Sequence, residues 1–161
     1  GEVWMAGTSA DQTRLKMALE FGASNTLNVE DMTEDEIHDC LMDQTRGVGP
    51  NVIMDCTGYA PVMNQWIDLI APGGTYSIPG IATPQDEIPI DLFTHIARKN
   101  VRLQGVWVSD TSHLWRAANL VAAGRYPFDR LITHQFSLEE ATEGLKVTES
   151  KESVKAILKP E

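Results

Sequence analysis

The residue types that do chemistry are present in this chain but scattered. The four histidines, His38, His95, His113 and His134, fall on separate stretches, and no His-Glu-x-x-His pair, Cys-x-x-Cys pair or Gly-x-Ser-x-Gly elbow occurs. The spacing needed to hold a metal, or to set a base beside a nucleophile, is therefore missing. No catalytic residue and no metal ligand is assigned, and the histidines read as surface or hydrogen-bonded side chains. Cys40 and Cys56 lie far apart, outside any metal-type spacing, and read as reduced thiols. Carboxylates such as Glu34, Asp35 and Glu36 bunch where a helix would begin, where they favour its dipole.

What remains is chemistry done by backbone. Several strand-like runs end in small residues: Gly7-Thr8-Ser9, Asp55-Cys56-Thr57-Gly58, Ile78-Pro79-Gly80 and Gly105-Val106-Trp107-Val108. In an open parallel sheet, ligands bind beyond the carboxyl ends of the strands, where small residues let backbone approach them. Each segment alone is equally compatible with an ordinary tight turn. A phosphate-gripping Gly-x-Gly-x-x-Gly is absent. The nearest stretch, Gly47-Val48-Gly49, lacks the third glycine and precedes a strand instead of following one.

The elements that would position these loops alternate. Glu2 to Ala6 reads as a strand, and Leu15, Ala18, Leu19 and Gly22 recur at helical spacing behind a Ser9/Gln12 capping box. Asn25 to Asn28 is a second strand. Thr33 and Glu36 cap a helix on Ile37, Cys40 and Leu41, and Val52-Ile53-Met54 is an apolar run expected to be buried on both faces. Met63, Trp66, Ile67 and Ile70 mark a further helix, stopped by Pro72-Gly73-Gly74. Thr75 to Ile78 is a strand, a helix is expected near Asp91 to Lys99, and Val101 to Val108 is the next strand. This rhythm is the signature of an α/β fold with a Rossmann-like, doubly wound parallel sheet. Past residue 109 come a long helix ending at Gly124, a strand near Ile132 to Phe136, a Ser137/Glu140 capping box with its helix, and a last strand from Val154 to Leu158 before Lys159-Pro160-Glu161.

With 161 residues, 42% of them hydrophobic, one sizeable core is within reach, and a net charge of −10 weighs against nucleic acid and anionic membranes as partners. No membrane-length apolar run or signal-peptide pattern is found, which makes the cytoplasm the simplest expectation. The chain opens at Gly1 directly on a strand, as a fragment would.

Taken in order, Arg14-Leu15 through Phe21-Gly22-Ala23, Asp55-Cys56-Thr57-Gly58, Ala71-Pro72-Gly73-Gly74 and Ile78-Pro79-Gly80 resemble the medium-chain dehydrogenase/reductase family of the zinc-dependent alcohol dehydrogenase type. The tail is the more specific match: Leu131 to His134, Phe136 to Ala141 and Ser153 to Leu158 look like that family's C-terminal stretch. The resemblance spans nearly the whole chain. It implies a Rossmann-like nucleotide domain over 1–109, missing its first strand and glycine-rich turn, and a segment over 110–161 that packs back on an absent catalytic domain holding the zinc. The missing strand would sit between the strands at Glu2 to Ala6 and Val52 to Asp55, which are then expected to collapse together or to be joined by another chain.

The resemblance also implies a cofactor, NAD or NADP, with contacts at Gly7, Thr8, Ser9, Arg14, Thr57, Gly58, Ile78, Gly80, Val106, Val108 and Lys155. Gly7 stands where NAD-specific relatives carry an Asp, and Thr8, Ser9 and Arg14 offer donors to a 2′-phosphate, which leans the expectation slightly toward NADP. Asp11 pulls the other way. The expected activity of the intact protein is hydride transfer between NAD(P) and a small alcohol or carbonyl compound, with these 161 residues inactive alone. Self-association through the strand at Val101 to Val108 is expected from the same likeness. Two other readings are a non-catalytic nucleotide-sensing module completed by a partner chain, and a methyltransferase-like fold, which would need a glycine-rich first turn that is not found.

Overall fold

The computed structural model describes residues 1–81, 83–84 and 87–160, so the final Glu161 of the expected tail lies outside the described residues. Packing divides the chain into two units: residues 1–31 with 110–161, and residues 32–109. That grouping differs from the expected split into 1–109 and 110–161, because the first strand-helix-strand segment packs with the tail.

In the first unit, β1 (Trp4–Gly7) runs parallel to β2 (Asn25–Asn28), in register Trp4 to Asn25 through Gly7 to Asn28. Parallel neighbours need a crossover, and α1 (Gln12–Glu20) supplies it, burying Leu15 against the pair. A short 3₁₀ turn, Ser9–Asp11, precedes α1 and shifts the cap by one residue from expectation. The capping box is Thr8 with Asp11, not Ser9 with Gln12. Farther along, α4 (Thr111–Ala122) is exposed throughout, β6 (Ile132–Phe136) pairs parallel with β7 (Lys155–Leu158), and α5 (Ala141–Glu149) crosses between them. Of the expected Ser137/Glu140 box only the glutamate half forms: Ser137 N–H donates to the Glu140 carboxylate at 2.9 Å, and the helix begins at Ala141. Phe21 meets Phe128 edge-on at 5.7 Å between ring centres, joining α1 to the tail.

In the second unit, α2 (Glu34–Gln44) starts at the expected Thr33/Glu36 capping box. The strands β3 (Val52–Met54), β4 (Thr75–Ile78) and β5 (Arg102–Gly105) form a parallel sheet in that order. Between β3 and β4 lies α3 (Pro61–Trp66), continuing into a 3₁₀ turn, Ile67–Leu69. The core gathers Met63, Ile67, Ile70, Tyr76 and Val101.

Three expectations are refined or corrected. The helix near Asp91 to Lys99 is a short π-helix, Leu92–Ala97, capped by Asp91. The strand expected over Val101 to Val108 is only Arg102–Gly105, and Val108 turns out of it with φ of 46°. Val52 and Met54, expected to be buried, are 60% and 65% exposed and share a face of β3.

Candidate nucleotide site

The best-built loop follows β3. Asp55, 4% exposed, accepts a hydrogen bond from the Thr57 N–H at 3.0 Å and from the Thr57 hydroxyl at 2.7 Å on one oxygen, and from the Tyr76 hydroxyl at 3.1 Å on the other. An aspartate bonding to the backbone two residues on is a turn-forming device, and here it fixes how the chain leaves the strand. Gly58 follows with φ of 71°, a conformation that glycine adopts without strain. Gly80 N–H donates to the Asp55 carbonyl at 3.0 Å, and a Cβ on Gly80 would lie 2.6 Å from Cys56 C and Gly58 N. Backbone of the Thr57-Gly58 turn and backbone of the Ile78 to Gly80 loop therefore touch directly. Burial, and then the Asp55 charge, push the Cys56 thiol above its ordinary pKa and make it a poor nucleophile. The same two causes, in the same order, raise the Tyr76 phenol.

Of the expected contacts in this unit, Thr57, Gly58, Ile78 and Gly80 come together at the carboxyl ends of β3 and β4. Ile78 pairs in register with Gly105, so Val106 leaves the sheet at the same end. Val108 lies beyond, 75% exposed.

The other unit carries a second strand-end loop, after β1. Its donors are already taken. Thr8 N–H and hydroxyl both donate to Asp11, at 3.1 and 2.8 Å, and Ser9 N–H donates to Glu30 at 2.9 Å. The Arg14 guanidinium donates to Asp11 at 3.2 Å and to the carbonyls of Lys151 and Ser153 at 3.3 and 2.6 Å. Arg14 thus ties α1 to the tail. Lys155 opens β7, exposed. Sequence reading did not find the roles of Asp55 and Glu30. The first left a local signal, an Asp two residues before a Thr. The second depends on a contact across 21 positions and left none.

The histidines stay apart, and His95 Nε2 is 3.5 Å from Asp68. Among the described residues, no group of three His, Cys, Asp or Glu side chains is placed to hold a metal, so zinc does not fit these residues. Two apolar grooves, lined by Phe136, Leu145 and Leu158 and by Met5, Phe21 and Leu131, involve none of Thr57, Gly58 or Gly80.

A family model described as zinc-binding dehydrogenase matches residues 5–123. The chain belongs to the zinc-binding dehydrogenase family. Among its relatives in this family, a sorbitol dehydrogenase of Halalkalibacterium halodurans is 28% identical over 99% of this chain and 45% of its own length. A geraniol dehydrogenase of Castellaniella defragrans is 32% identical over 90% of this chain and 38% of its own. The solved alcohol dehydrogenase of Thermotoga maritima superposes with a TM-score of 0.92 at 36% identity, covering 100% of this chain and 44% of that one. The chain thus spans less than half the length of the zinc-binding dehydrogenases it matches, and the α/β architecture with parallel sheets is theirs. Among the described residues no helix is long and apolar enough to cross a membrane.

Proposed function

We propose that these residues are the cofactor-binding portion of an oxidoreductase that passes hydride between a nicotinamide dinucleotide and a small alcohol or carbonyl compound. The match to the zinc-binding dehydrogenase model over residues 5–123 carries this reading. The loop geometry supports it: Thr57 and Gly58 are held at a strand end by a buried Asp55, where an open parallel sheet receives a nucleotide. In this reading residues 1–109 contribute to the nucleotide domain and 110–161 return toward the catalytic part of the protein. Gly7, Thr8, Ser9, Thr57, Gly58, Ile78, Gly80, Val106, Val108 and Lys155 face the cofactor. Arg14 serves the fold, since its hydrogen bonds are made inside the protein.

Zinc belongs to a part of the protein outside these residues, and nothing in them carries a step of its chemistry. The cofactor supplies the hydride chemistry when bound, and the protein positions it. We place the protein in the cytoplasm and expect it to self-associate.

The test is a hydride-transfer assay on the full-length protein with short alcohols, polyols and aldehydes, read by reduced-nicotinamide absorbance. Turnover in the full-length protein, and none from residues 1–161 alone, is the expected result. Nucleotide binding without turnover in the full-length protein would favour a sensing module instead, and no binding of either nucleotide would end the reading.

A further inference from the structure

We draw no further inference here: the strongest candidate, the apolar face of α4 on which Leu114, Trp115 and Val121 are 70%, 69% and 55% exposed, carries nothing because nothing in the structure shows what covers it.

Discussion

Tyr76, wholly buried in the middle of β4, donates its hydroxyl to the Asp55 carboxylate at 3.1 Å at the end of neighbouring β3. The bond links the apolar core to the loop that we read as holding the nucleotide. Tyr76 packs among Met63, Ile67, Ile70 and Val101 on one side and fixes the Thr57-Gly58 turn through Asp55 on the other.

Tyr76→Phe keeps the ring in the core and deletes one hydrogen bond to a buried carboxylate. Such bonds are worth about 1.5–3 kcal/mol, and urea denaturation should show a loss of that size. Hydrogen exchange at the Thr57 amide should quicken as well, because Asp55 loses one of the groups that hold it. An unchanged denaturation midpoint would mean that the pair contributes nothing.

Gly80→Ala tests the backbone contact between the two loops. The new Cβ would sit 2.6 Å from main-chain atoms of Cys56 and Gly58, which have no rotamer by which to move aside. Overpacking of this kind costs about 1–3 kcal/mol, and nucleotide affinity should fall with it. Gly105→Ala is the control, since nothing lies within 4 Å of its added Cβ. Thermal denaturation of the two variants side by side should show a loss for the first only.

Arg14→Lys separates a structural from a ligand-binding arginine. Lysine keeps the charge but not the planar fork that reaches Asp11 and two carbonyls together. With the side chain 25% exposed, a loss of about 1–2 kcal/mol is expected. Hydrogen exchange should show loosening between Lys151 and Lys155, while the NADH to NADPH affinity ratio stays put. A change in that ratio would return Arg14 to the ligand.

How much of this was legible in the sequence depends on how local each signal was. The strands at Asn25–Asn28, Val52–Met54, Thr75–Ile78 and Ile132–Phe136 fell where apolar runs and turn residues put them, and so did the Thr33 cap, whose partner is three residues away. The Ser9 cap was misplaced by one residue because Thr8 and Ser9 both suit the role, and the 3₁₀ turn that chose between them leaves no periodic trace. The exposure of Val52 and Met54 defeated the pattern for a different reason: an apolar strand is read as buried, whatever is or is not there to cover it. In the site, Thr57 and Gly58 stood out as small residues after a strand. Glu30 did not, since its bond to Ser9 arises only when β1 and β2 lie side by side.

Asp110 supplies a prediction in pH. It caps α4, and the Ser112 hydroxyl and the His113 N–H, with the His113 charge adding to them, hold its carboxyl down at about 2, from an ordinary 3.8. A depressed carboxylate stabilises the folded state fully above the unfolded value and loses that contribution as pH falls through the folded one. The contribution should therefore be intact at pH 5 and fall from just below pH 4, with the carboxyl half protonated near pH 2 and the cap lost only below it. Carboxyl carbon shifts in NMR would give the midpoint directly, and amide protection over Ser112 to Trp115 should decline across the same window. Asp110→Asn retains an acceptor for the cap but no titration, so its α4 protection should lack the Asp110 step that runs from just below pH 4 down through pH 2. The same decline in both proteins would place the acid sensitivity of α4 somewhere other than its cap.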